Sequence, residues 1–266
     1  MRDVIVLCYH AVSEQWSADL SVTPQRLEEQ LGLLVDRGYQ GATFVQAVTA
    51  PPAKRTVAVT FDDAFLSVFE LAFPILSRLG LTATVFVPTR KVGTGGPMVW
   101  RKMERWLGGA NERQLVGMSW EEIKELDRAG WEIGSHTRGH PYLTQLDDGA
   151  LFDELRGSRE DCEQQVGKPC LSLSYPYGDF DARVVKAATE AGYVAAGTLP
   201  ERLERPSPLA WARVGIYHSD DMPRFRQKVS PAVRRLRSSP AWPLVMRVDR
   251  RLRAPAKNVI SGQTVN

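Results

Sequence analysis

The chain has 266 residues, 43% of them hydrophobic and 24% charged, an ordinary globular composition that can bury a large core without disulfide staples. No stretch approaches the roughly 20 apolar residues of a membrane span, and three cysteines with no C-x-x-C spacing make no disulfide framework. The net charge of +3 is uneven: residues 1–200 hold 20 Lys+Arg against 26 Asp+Glu, whereas residues 201–266 hold 14 against 5.

Residues 4–9, Val-Ile-Val-Leu-Cys-Tyr, predict a buried strand that ends at His10. The run is too short for the apolar core of a signal peptide and no small-residue cleavage site follows, so a cytoplasmic location is expected. Thr23 as N-cap and Pro24 at the first helical position predict a helix over 24–37, stopped by Gly38. Strands are expected over 42–44 and 56–61, and a helix over 66–79 that stops at Gly80. After a strand over 82–87, residues 92–117 break the rhythm. Gly93, Gly95, Gly96, Pro97, Gly108 and Gly109 surround a helical piece over 100–107, which reads as an elaborated loop above the active face. Ser119 and Glu122 form a capping-box pattern that opens a helix over 119–129. Then come a strand over 131–135, a helix over 147–166, a strand over 171–175, a helix over 181–191, and strands over 193–197 and 212–217. Strand, helix, glycine and strand in repetition predict β-α-β units around a parallel sheet. Seven or eight strands favour a barrel over an open doubly wound sheet, and in both the chemistry sits at the C-terminal strand ends.

Four strand ends carry reactive residues. Val57-Ala58-Val59-Thr60-Phe61 runs into Asp62-Asp63, two adjacent carboxylates that can line one mouth with different roles; a helix N-cap is the competing reading of Asp63. Gly134-Ser135 runs into His136-Thr137-Arg138-Gly139-His140, two imidazoles four apart that suit metal ligation or are simply polar loop residues. Two histidines and one carboxylate make a ligand set that leaves positions open for water and substrate. Ser174-Tyr175-Pro176-Tyr177-Gly178 forms a turn suited to aiming a backbone N–H at a developing oxyanion, or a plain turn before a helix capped by Asp179 or Asp181. Leu7-Cys8-Tyr9-His10 places a lone histidine at the same mouth, where a structural role competes with a chemical one; His218 reads as an incidental loop residue.

Together these segments resemble the polysaccharide deacetylase (NodB-homology) family over about residues 3–217. The family's T-F-D-D stands at Thr60–Asp63, its H-[ST]-x-x-H at His136–His140, and its R-x-P-Y-G is matched in part by residues 174–178. The L-x-x-H motif, usually near the C-terminus, stands here at Leu7–His10, as in the circularly permuted branch that resembles poly-N-acetylglucosamine deacetylases. The resemblance implies an α/β fold: a distorted (β/α)7 barrel over 1–217, a single domain, with a basic helical extension and tail over 218–266. It implies a metal-dependent hydrolase that removes an N-acetyl group from an amino sugar. Asp62 matches the base and His10 the acid; Asp63, His136 and His140 match the metal ligands, with Zn²⁺ the expected metal; Tyr177 matches the oxyanion N–H. The third motif's arginine is replaced by Ser174, and Arg213 on a later strand is the expected substitute. The D-x-x-x-W motif has no counterpart, and Trp211 is the expected apolar wall of the acetyl pocket. These departures keep two alternatives in view: an impaired carbohydrate-binding protein of the same fold, and an amidase on a small non-sugar amide.

Residues 231–257 carry seven Arg and one Lys against Asp249, interleaved with Trp242, Leu244, Val245, Met246, Val248 and Leu252. A solvated helix packed on the barrel and peripheral contact with an anionic inner membrane face both fit this pattern. The expected partner is an N-acetylated saccharide, polymeric, oligomeric or lipid-linked. No nucleic-acid recognition module is present.

Overall fold

Six parallel strands form most of one sheet in a computed structural model that describes residues 3–101, 103–200, 207–239 and 242. They are β1 (Asp3–Tyr9), β2 (Arg55–Phe61), β3 (Thr84–Val87), β4 (Glu132–Ser135), β5 (Ser172–Ser174) and β6 (Ala195–Thr198), in the spatial order β1-β2-β3-β4-β5-β6. The seventh strand, β7, has two pieces. Trp211–Ala212 pairs with β6, and Val214–Gly215 pairs with β1. One extended segment thus joins the two edges of the sheet, with Arg213 at the changeover. This is the distorted seven-stranded barrel.

Side chains alternate across the barrel wall, as strand geometry requires. Ile5, Leu7 and Tyr9 of β1 and Val57, Val59 and Phe61 of β2 join the main core between sheet and helices. Val6, Ala58, Phe86 and Ala195 belong to a second, smaller cluster with Phe44. A Cβ on Gly134 would lie 2.6 Å from both the Phe86 ring and Ser172 Oγ, so only glycine fits there. The glycines that stop the expected helices all adopt positive φ, from 66° at Gly80 to 94° at Gly192. Thr23 and Ser119 cap their helices as the sequence indicates, the latter in a full capping box. Asp181, rather than Asp179, caps helix Ala182–Glu190.

Several elements differ from expectation. The strand expected over 42–44 is Gln40–Ala42, and Phe44 instead opens a helix, Phe44–Thr49, capped by Thr43. Its apolar, β-branched run reads as strand, but it is buried as a plug. Phe44 meets Phe86 edge-on at 5.6 Å, and the first N–H groups bond Thr84 and Glu132. The helix expected over 66–79 does begin at Leu66, but it carries a π-helical turn, Val68–Ala72, before Phe73–Arg78. The one expected over 147–166 carries a π turn, Asp153–Gly157, between Asp148–Phe152 and Ser158–Val166. Only a 3₁₀ turn, Glu104–Trp106, forms within the piece expected over 100–107. The strand expected over 212–217 breaks at Arg213 because its two halves pair with different neighbours.

Beyond the barrel, helices Met222–Val229 and Pro231–Arg237 are fastened to it. Phe225 and Val229 are buried in the main core, Lys228 Nζ donates to Gly215 O at 2.8 Å, and Arg234 pairs with Asp3. No helix among the described residues is long and apolar enough to cross a membrane. Most of the basic tail, including Leu244, Val245, Met246, Val248 and Leu252, lies outside the described residues, and the membrane-face expectation with it.

Candidate active site

The C-terminal ends of β1, β2, β4, β5 and β7 converge on one buried group of polar side chains. His10, Asp62, Asp63, His136, His140 and Arg213 are each 8% exposed or less. The two adjacent carboxylates after β2 point into different environments because the backbone turns sharply there, with φ of 71° at Asp63 and 53° at Ala64. Non-glycine residues in that region are strained, and such strain collects at functional sites. Asp63 is not a helix cap: helical backbone begins only at Leu66, after the turn at Asp63 and Ala64.

Asp62 sits in a fork. Arg213 Nη1 donates to Oδ1 and Nη2 to Oδ2, both at 2.7 Å. Ser174 Oγ lies 3.0 Å from Oδ2 and 2.7 Å from Arg213 Nη2. Arg213 Nη1 also donates to Thr60 Oγ1 at 3.0 Å, and the guanidinium lies over the Phe86 ring. Burial alone would raise the Asp62 carboxyl, but the Arg213 charge overrides it and holds the group well below the usual carboxylate range. The small Ser174 leaves the space into which Arg213 reaches. Gly197 clears the path: a Cβ there would lie 2.6 Å from Arg213 Nε. A bidentate arginine thus reaches Asp62 from β7 rather than from β5.

Asp63 faces the histidines. Its Oδ1 lies 3.4 Å from Nε2 of both His136 and His140, and this buried oxygen has no hydrogen-bond partner. Burial opposes its charge, yet the two imidazoles keep its carboxyl far below the ordinary range. His136 Nδ1 lies 2.7 Å from Ser174 O, which fixes the proton on Nδ1 and turns the Nε2 lone pair toward Asp63. Burial lowers the His136 pKa, but Asp62 and Asp63 outweigh it and raise it; burial prevails at His140 and lowers it. At His10 burial also prevails, against the pull of Asp63 and Asp62.

Among the described residues, two three-residue sets bring ligand atoms within 4.8 Å of one another: Asp63, His136 and His140, and Cys8, His10 and Asp62. Only the first fits a metal. Both Asp62 oxygens are committed to Arg213 and Ser174, whereas Asp63 Oδ1 is an orphaned buried acceptor beside two imidazole nitrogens.

Aromatic rings enclose the His140 side. Trp100, from the loop over 92–117, stacks on the His140 ring at 4.5 Å, and Tyr177 meets that ring at 4.6 Å while stacking on Tyr142 at 4.1 Å. Tyr177 is 39% exposed and held at φ 58°. The loop over 92–117 therefore lies over the mouth, as its position in the chain indicates. Trp100 and Tyr142 were not readable as site residues, because nothing local ties them to the histidines. Trp211 is a correction: it packs against the cluster around Phe44, Val6 and Ala58 and not at the mouth. It precedes Arg213 by two residues, so it shares that face of β7 but lies about 7 Å deeper. His218 is held by backbone bonds from Arg26 and to Asp19 and belongs to neither ligand set.

Known proteins resemble this chain in sequence and in fold. The profile of the polysaccharide deacetylase family matches residues 49–196. A putative polysaccharide deacetylase of Bacillus subtilis, YxkH, is 27% identical over 193 residues, covering 71% of this chain and 61% of the relative. A poly-beta-1,6-N-acetyl-D-glucosamine N-deacetylase of Staphylococcus aureus is 25% identical over 177 residues, or 63% of this chain and 56% of the relative. The chain thus spans about six-tenths of the length of these curated relatives. A crystal structure of a polysaccharide deacetylase from Bacillus cereus is 27% identical with a TM-score of 0.68, covering 85% of this chain and 69% of that one. A Streptococcus pyogenes deacetylase solved in complex with acetate is 24% identical and shares the fold, with a TM-score of 0.71 over 86% of this chain and 98% of its own. Over half of its length matches the family profile, and the chain belongs to the polysaccharide deacetylase family.

Proposed function

We propose that this protein is a metal-dependent N-deacetylase of an N-acetylated amino sugar, releasing acetate and a free amine. One observation carries the reading: two neighbouring carboxylates are held apart electrostatically, Asp62 in the fork of Arg213 and Asp63 beside two histidines with an unsatisfied oxygen. Asp63, His136 and His140 would hold the metal, and Zn²⁺ suits two imidazoles and a carboxylate. A divalent ion there supplies Lewis acidity, lowering the pKa of water and polarising the acetamide carbonyl.

The chain's own groups do the rest. Asp62 accepts the proton of the attacking water. Arg213 keeps that carboxylate ionised and fixes its plane. The Tyr177 backbone N–H faces the charge that develops on the carbonyl oxygen. His10, buried beside Asp62, delivers a proton to the departing sugar amine. The intact set of acid, base and ligands supports an enzyme over an impaired binding protein.

The test is acetate release from N-acetylglucosamine oligomers of increasing length, with a small non-sugar acetamide in parallel. Protein stripped by chelator is expected to be inactive and to recover on titration with one equivalent of Zn²⁺ or Co²⁺. Full activity after stripping would overturn the metal reading, and faster turnover of the simple acetamide would overturn the sugar reading.

A further inference from the structure

The residues between the two ligand histidines are gripped by a helix that the mechanism above does not use. Glu154 Oε2 accepts the backbone N–H of Arg138 at 2.9 Å and that of Gly139 at 2.8 Å. The Arg138 side chain lies along the same helix. Its Nη1 bonds Asp153 at 2.6 Å, and its Nε and Nη2 bond the two Asp161 oxygens at 2.9 Å each. Gly157 is the seat: a Cβ there would lie 2.2 Å from Arg138 Cζ. Gly139 is held less tightly: a Cβ there would make a close contact, 3.1 Å, with Glu154 Oε1.

The gripped loop is one that cannot hold itself. Thr137 and His140 both stand at positive φ, 65° and 64°. Thr137 N and His140 N are satisfied inside the loop, by Ser135 Oγ and Thr137 Oγ1. Arg138 N and Gly139 N, which point the other way, are satisfied only by Glu154. The π turn over Asp153–Gly157 shifts the register of this helix by one residue, which lets Asp153 and Glu154, before Gly157, face the loop together with Asp161, after it.

We infer that Glu154 is a positioning residue for His136 and His140, holding their loop in the ligand geometry before any metal arrives. The inference rests on the metal reading of the site. Such outer partners typically change metal affinity by about 10–100-fold when removed. Glu154→Ala is therefore expected to weaken Zn²⁺ binding by about 10–100-fold, measured on stripped protein by competition with a chromophoric chelator. Glu154→Gln is expected to restore most of the loss, because an amide oxygen still accepts both N–H groups. In stripped wild-type protein the Arg138 and Gly139 amides are expected to exchange slowly with deuterium, which is read without metal and without any variant.

Wild-type Zn²⁺ affinity in Glu154→Ala would overturn the inference, as would a Gln variant as weak as the Ala variant. Fast exchange at both amides would overturn it even if Glu154→Ala does not fold. Failure of the wild type itself to bind Zn²⁺ would bring down the metal reading and this inference together. That result is distinct from failure of the clamp alone, in which wild type and Glu154→Ala bind Zn²⁺ alike.

Discussion

The barrel holds buried carboxylates at both ends and treats them in opposite ways. At the floor, Glu132 accepts hydrogen bonds from Ser172 Oγ, Thr84 Oγ1 and the Val45 N–H at the start of the plugging helix, with Phe44 and Phe86 packed beside it. Among the described residues no full positive charge balances it there, and burial raises its pKa despite those bonds. At the mouth, Asp62 and Asp63 are more deeply buried, yet Arg213 and the histidines drive both carboxyls far down. The floor is also satisfied, whereas the mouth keeps orphaned atoms on Asp63, His10, His140 and Arg213 and five strained residues at positive φ, Asp63, Ala64, Thr137, His140 and Tyr177. Hydrogen bonds from neutral donors make a structural carboxylate. Fixed opposite charge with unsatisfied neighbours makes a reactive one.

That contrast can be broken at either end. The largest effect is expected from Asp62→Asn, which should lower turnover by about 10²–10⁴-fold while Zn²⁺ binding persists; steady-state rates with metal analysis check it, and loss of metal would shift Asp62 into the ligand set. Arg213→Ala leaves a buried carboxylate unpaired and is expected to cost about 3–5 kcal/mol of stability and to reduce turnover in the molecules that remain folded. Denaturant melts and active-site-normalised rates measure the two separately, and unchanged turnover would remove Arg213 from the machinery. At the floor, Phe44→Ala should cost about 3–5 kcal/mol by opening a cavity, yet leave the rate per folded molecule unchanged. A rate loss there would mean that the two ends are coupled.

Glu132→Gln is the gentlest probe, expected to change stability by less than about 1 kcal/mol near neutral pH. Its signature is in pH. Because the folded pKa of Glu132 is raised, folding favours the protonated form; that stability is complete below the unfolded value of about 4.3 and is lost as pH climbs through the folded value. Thermal melts of wild type against the variant should diverge over that window, and parallel curves would show that the floor does not hold its carboxylate in this way.

The motif residues were legible because chemistry that needs charge at strand ends leaves charged residues after apolar runs. Thr60–Asp63, His136–His140 and His10 declare themselves this way, and the structure brings all of them together. Arg213 was legible only as a candidate, since its partnership with Asp62 depends on the clearance over Gly197 and the gap beside Ser174, neither of which has a local signature. Trp211 was misplaced although the signal existed: an i, i+2 relation to Arg213 on a strand whose mouth is its C-terminal end puts Trp211 below. The helix at Phe44 was missed because a short β-branched run has the same composition as plug or strand. Glu154 reads in sequence as one more acidic residue on a solvated helix, and its role emerges only where the π turn sets it against the histidine loop.

The divided last strand has a consequence for the order in which the protein is made. Arg213 sits where the chain crosses from β6 to β1, so the cation that ionises Asp62 arrives with the stitch that joins the two edges of the sheet. A nascent chain carries Asp62, Asp63, His136 and His140 well before this stitch is synthesised, and until then Asp62 lacks its Arg213 counter-charge. The proposed base therefore matures last. Activity at this mouth reports that the seam is sewn.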